Sequence, residues 1–246
     1  MINGVKIEVC CGSIDDVITA EECKGDRIEL NSALELGGLT PSLSTLRAAK
    51  KITSIPLICM VRSRTAGFCY SETEYEVMKD DAKLLLENGA DGIVFGFLNE
   101  DGTVSQNRTR EFVDIAHSYN KEAVFHKAFD STINKEDAVK VLINCGIDRI
   151  LTSGGAVYPD IEEGLMVIKD LSSRYPEIQF LPGGGVRKEN ARHILEVTGC
   201  KQIHMTAKEM AVDVSTLHGD RNNNSGGEYV KVSKKNLLAI MQEIGK

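Results

Sequence analysis

Short apolar runs near residues 5–10, 26–31, 55–61, 91–96, 122–127, 148–153, 178–182 and 201–206 punctuate the chain. Between them lie longer stretches with the apolar spacing of amphipathic helices. Each run is of strand length, so the pattern predicts strands alternating with helices, as in parallel α/β structure. Helix starts are signalled by Ser13 with Asp16, by Thr40-Pro41, by Ser71 with Glu74, and by Asn134 before Glu136 and Asp137. Each supplies a capping oxygen, a first-turn proline or first-turn acids.

One phrase recurs. Gly25-Asp26-Arg27-Ile28-Glu29, Gly89-Ala90-Asp91-Gly92-Ile93, Gly146-Ile147-Asp148-Arg149-Ile150 and Gly199-Cys200-Lys201-Gln202-Ile203 each read as a helix-ending glycine that feeds a strand. The copies lie 64, 57 and 53 residues apart, about two βα units each time. Four pairs make eight units, which predicts a single (β/α)₈ barrel of the TIM type over 1–246; an open doubly wound sheet is the alternative. No linker or low-complexity block divides the chain. A polar loop near 213–229, rich in Asn and Gly, precedes a last amphipathic helix from about Ser233.

The phrase also sets a register. Side chains alternate along a strand, and aligning the copies makes Glu29, Val94, Leu151 and His204 equivalent. Ile28, Leu30, Ile150 and Ile203 share the other parity and suit a helix-facing surface. Glu29 and His204 are therefore expected to point into the barrel. On the first strand, Glu8 and Cys10 point inward, while Ile7, Val9 and Cys11 point outward. In a closed barrel the last strand neighbours the first, so Glu8, Cys10, Glu29 and His204 converge.

Composition narrows the function. The chain has 246 residues, 42% hydrophobic, and a net charge of −7 with no basic stripe, which argues against a nucleic-acid partner. Trp is absent and no apolar run reaches the roughly 20 residues of a membrane span. The start carries no signal-peptide pattern. The odd count of seven cysteines without Cys-x-x-Cys spacing predicts reduced thiols and a cytoplasmic location.

Barrel chemistry sits where strands end. Here those ends carry Arg62-Ser63-Arg64, His126-Lys127-Ala128-Phe129-Asp130, Ser153-Gly154-Gly155 and Gly183-Gly184-Gly185-Val186-Arg187. Buried Glu8 and Glu29 need cationic partners, and Arg62, His126, Lys127 and His204 are the expected supply. The cluster reads either as a structural ion-pair network or as a site in which burial raises a glutamate pKa for general-base work. Glycines 154 and 183–185, with Ser153 and Lys127, either make tight turns or cradle an anion on exposed N–H groups. Cys59, Cys145 and Cys200 read as small apolar residues, and His117, His193 and His218 as solvated. No nucleotide-cofactor fingerprint is present.

These residues, with Gly37-Gly38-Leu39-Thr40-Pro41-Ser42, resemble the CutC copper-homeostasis family from about residue 5 to 207. The resemblance implies a cytoplasmic, oligomeric TIM-type barrel. It further implies a copper(I) site near the ends of the first two strands, where Cys10 fills one position and Asn31 stands in place of the second thiol. Strand parity does not put Cys11, Met60 or Met205 beside Cys10. Lys127 stands where the family usually has Arg, Ser63 where Pro is usual, and Thr65-Ala66-Gly67 in place of a Gly-Gly-Asp run. Two functions remain open. One is copper homeostasis with Cys10 as a metal ligand. The other is an enzyme acting on a small anionic metabolite, with Glu8 or Glu29 as base and with Arg62, His126, Asp130 and His204 completing the catalytic set.

Overall fold

The structure, a computed structural model, describes residues 1–217 and 227–246. Eight parallel strands alternate with helices: β1 (Lys6–Cys11), α1 (Ile14–Glu22), β2 (Arg27–Leu30), α2 (Leu43–Ile52), β3 (Leu57–Met60), α3 (Glu72–Glu87), β4 (Gly92–Phe95), α4 (Gln106–Ser118), β5 (Glu122–Phe125), α5 (Lys135–Cys145), β6 (Arg149–Thr152), α6 (Glu162–Arg174), β7 (Gln179–Pro182), α7 (Ala191–Thr198) and β8 (Gln202–Met205). The strand order is β7-β6-β5-β4-β3-β2-β1-β8, so the last strand pairs with the first, as the barrel reading requires. At the seam between β7 and β8 the Gln202 side chain donates to Phe180 O at 3.1 Å and to Gln179 Oε1 at 3.3 Å.

The expected caps form. Ser13, Ser71 and Asn134 accept the first free N–H groups of their helices, and Ser71 with Glu74 makes a complete capping box. Thr40-Pro41 falls just short, because the N-cap of α2 is Ser42. The recurring aspartate locks the register. Asp26, Asp91 and Asp148 accept from the backbone N–H of Ile7, Leu57 and Ala123, at 2.9, 3.0 and 2.8 Å, each on the preceding strand. Gly92 stands where the sister phrases have Arg27, Arg149 and Gln202, and a Cβ there would stand 2.7 Å from Glu122 O.

Two apolar layers result. Ile7, Val9, Cys11, Ile28, Leu30, Cys59 and Ile203 join the large core between strands and helices. Inside the barrel the apolar cluster holds only Ile58, Met60, Val94 and Val124. Leu151 also faces inward, and buried ion pairs share the interior. Arg27 pairs with Glu8 and donates to Gln202 Oε1 at 2.8 Å, while Arg149, 1% exposed, pairs with Glu122.

Beyond β8 the chain departs from the sequence reading. Part of the polar 213–229 segment borders an antiparallel hairpin, β9 (Lys208–Val212) with β10 (Glu228–Val232), before α8 (Lys234–Ile244). β9 alternates exposed and half-buried side chains and β10 buries only Val232, so neither carries the continuous apolar run that marked the barrel strands. The remainder of that segment, 218–226 with His218, lies outside the described residues. Among the described residues no helix is long and apolar enough to cross a membrane.

Candidate ligand site in the barrel mouth

The C-terminal ends of the strands surround a cavity of about 1010 Å³. On one side β1, β2 and β8 bring Cys10, Glu29 and His204 together, their ligand atoms all within 4.8 Å of one another and all three residues buried. Cys10 and Glu29 are opposite each other in the β1–β2 ladder, and Glu8 is opposite His204 in the β1–β8 ladder. The convergence thus follows from inward parity plus closure.

A polar column runs through this side. Glu8 Oε1 accepts from His204 Nδ1 at 2.7 Å, and its other oxygen pairs with Arg27. Burial pushes the Glu8 carboxyl up, but Arg27 and then His204 outweigh it and hold the group well below the usual carboxylate range. His204 turns Nε2 toward Glu29 Oε2, 3.9 Å away; burial lowers its pKa, but Glu29 and Glu8 outweigh that and raise it. Glu29 shifts the opposite way to Glu8: burial raises it, and His204 offsets only part of that rise. Cys10 Sγ donates to Glu29 Oε2 at 3.4 Å, and burial followed by the Glu29 charge pushes the thiol well above its ordinary value. Asn31 Nδ2 donates to the same carboxylate oxygen at 2.8 Å and reaches Cys10 Sγ at 3.5 Å.

Of the partners expected for Glu8 and Glu29, only His204 is one. Arg27 fills the role instead: parity turns it inward with Glu29, and the strand stagger sets it opposite Glu8. Arg62 is held by backbone: Nη1 donates to Gly37 O and Gly38 O at 3.1 and 3.3 Å, and Nη2 to Ala66 O at 2.8 Å. His126 Nδ1 accepts the Ala128 N–H at 3.1 Å, which leaves its proton on Nε2. Burial, then the Arg62 charge, lowers its pKa to about 3, so the ring is neutral.

Lys127 binds Asp130 at 2.5 Å and Ser153 Oγ at 2.7 Å. Asp130 also accepts the N–H groups of Ser153 and Gly155, at 3.1 and 3.0 Å, and Gly154 N donates to Thr152 Oγ1 at 2.8 Å. The anion cradle expected at Ser153 and Gly154 is therefore filled by the chain's own Asp130 carboxylate. Asp130 joins two loops and does not face the Cys10 group. Gly183 N is likewise spent on Thr152 O at 2.9 Å. Gly184 and Gly185 sit at positive φ and line the cavity, and among the described residues their N–H groups donate to no protein atom.

Met60 corrects the parity reading. It belongs to the interior cluster and lines the cavity, whereas Cys11 faces the outer core as expected. His117 and His193 lie on α4 and α7 and bind exposed carboxylates of Asp148 and Glu162, at 3.0 and 2.8 Å. Phe68 and Tyr158 also line the mouth, and no sequence signal marked either.

The sequence profile of the CutC family matches residues 5–209. Similar chains include a CutC family protein of Treponema denticola, 46% identical over 216 residues, which are 87% of this chain and 86% of that one. The copper homeostasis protein cutC homolog of Homo sapiens is 39% identical over 207 residues, 84% and 74% of the two chains. Among solved structures, a copper homeostasis protein CutC from Streptococcus agalactiae matches with a TM-score of 0.77 at 28% identity, covering 82% of this chain and 98% of that one. A phosphoribosylanthranilate isomerase from Thermotoga maritima, with a TM-score of 0.59 at 10% identity and 98% of both chains covered, shares the fold alone.

Proposed function

The chain belongs to the CutC family, and we propose that it serves copper homeostasis by holding one copper(I) ion as cargo between Cys10 Sγ and His204 Nε2. The observation that carries this reading is the buried convergence of Cys10, Glu29 and His204, with His204 pinned from behind by Glu8. A carboxylate on the far nitrogen of a histidine fixes the tautomer that leaves the near nitrogen free to bind metal. The ligand atoms of Cys10 and His204 lie within 4.8 Å of each other, which suits two atoms each about 2.0–2.3 Å from one ion held between them.

The donor chemistry fits copper(I) through sulfur and imidazole, while carboxylate oxygen suits it least. Glu29 has a different task on this reading. Metal binding must displace the thiol proton, and Glu29, with its raised pKa, receives it along the existing Cys10–Glu29 hydrogen bond. Met60 adds a soft thioether to the same cavity. The seven free thiols suit a reducing compartment, and the same reading makes the protein a cytoplasmic homo-oligomer, which fractionation and sedimentation velocity check.

The test is an anaerobic copper(I) titration of the reduced protein against a competing chelator, beside Cys10→Ser and His204→Leu. Tight one-to-one binding that both substitutions abolish is the expected result. Weak binding, or binding indifferent to both residues, overturns the reading, as does zinc(II) displacing copper(I) from the protein.

A further inference from the structure

Across the mouth from Cys10 lies a charge imbalance. Arg62 is 7% exposed, yet among the described residues no carboxylate lies within salt-bridge distance of it. Its hydrogen-bond acceptors are three backbone carbonyls, and the Tyr70 hydroxyl lies close by; none of these carries a full countercharge. The other buried arginines, Arg27 and Arg149, each have a glutamate. A buried cation without an anion is costly, and an incoming anion would relieve that cost.

A second observation points to the same place. Arg62 Nε and His126 Nε2 are buried N–H donors with no partner among the described residues. Both side chains line the cavity, and they flank Phe68: the Arg62 guanidinium carbon lies 5.2 Å from its ring centre, and the His126 ring 4.9 Å. Phe68, half-buried on the loop after β3, packs on both groups. Two flat N–H donors beside a fixed positive charge match the two oxygens of a carboxylate better than the three of a phosphate.

The third element is Asn31 Oδ1, a buried acceptor without a partner among the described residues. A Cβ on Gly38 would stand 2.5 Å from it, and Gly38 O is also a partner of Arg62, so the two groups border the same turn. An acceptor next to a cation calls for a donor next to an anion.

We propose that this half of the mouth binds a small hydroxy acid, its carboxylate against Arg62 and His126 and its adjacent hydroxyl donating to Asn31 Oδ1. The site uses neither Cys10 nor His204, and it stands whether or not copper binds them.

The experiment is isothermal titration of the whole protein with lactate, glycerate and malate, with acetate and inorganic phosphate as comparators. Saturable one-to-one binding of a hydroxy acid is expected, weakened about tenfold or more in His126→Phe, which keeps the ring packed on Phe68 but removes its donor. The exposed His117→Gln is the control and leaves binding unchanged. Because His126→Phe alters a buried position, nitrogen NMR of the wild-type imidazoles supplies an independent reading: hydroxy acid shifts the His126 Nε2 resonance and spares that of His117. Failure of all three hydroxy acids to bind overturns the proposal. So does acetate or phosphate binding as tightly as lactate, or binding that leaves the His126 resonance unmoved.

Discussion

Two glutamates inside one barrel behave as different residues. Glu8, between Arg27 and His204, stays ionised, whereas Glu29 is pushed up because burial outweighs its weaker contact with His204. Breaking a buried pair from one side leaves a charge stranded. Arg27→Met alone should therefore cost about 3–5 kcal/mol in urea unfolding. Removing Glu8 as well, as Arg27→Met with Glu8→Leu, should recover most of that loss, since an apolar pair replaces an ionic one. The double variant loses the carboxylate behind His204, so its copper(I) affinity should fall about 10- to 100-fold. Full affinity in a stable double variant would remove Glu8 from the site. Inward parity made Glu8, Glu29, Cys10 and His204 legible in the sequence. Which cation serves Glu8 was not legible, because partner choice depends on the strand stagger that sets Glu8 opposite Arg27.

Among elements, Asp130 shows how one side chain joins two loops. It lies after β5 and holds the turn after β6 through Ser153 and Gly155, with Lys127 as its countercharge. Burial raises its pKa, but Lys127 and these donors outweigh that and hold it below the ordinary carboxylate value. Its stabilisation is thus complete above an unfolded pKa of about 3.9 and disappears as pH falls through the lower folded value. Asp130→Asn should cost about 1–3 kcal/mol near neutral pH. The gap from wild type should narrow under acid conditions, as followed by the urea midpoint at each pH; a gap that widened in acid would contradict the ionised role. The glycines of this turn suggested an external anion because their N–H groups are open in sequence. Only the fold revealed that a carboxylate 23 residues upstream of Ser153 already fills them. The β9–β10 hairpin was missed for a different reason. Its strands bury too little of either face to show the apolar run by which the others were recognised.

For the whole molecule, the weakest line of the barrel is the β7–β8 seam, where the Gln202 amide substitutes for strand pairing. Gln202→Leu leaves Phe180 O unserved and Arg27 without its second acceptor. It should cost about 1–3 kcal/mol and speed amide exchange in β7 and β8 more than in β4. Uniform protection after the substitution would show that closure does not depend on this bridge.

By itself the sequence determined the number of units, their strand and helix character, the barrel closure and the inward set on β1, β2 and β8. Each of these follows from local periodicity and a repeated phrase, and periodicity survives without knowledge of neighbours. Only the tertiary structure decided which buried charges are balanced. It gave Arg27 to Glu8 and Asp130 to the glycine turn, and among the described residues it left Arg62 without a carboxylate. Pairing of this kind is a contest among groups brought within a few ångströms by folding: Glu8 and Arg27 are 19 residues apart, and Asp130 and Ser153 are 23 apart.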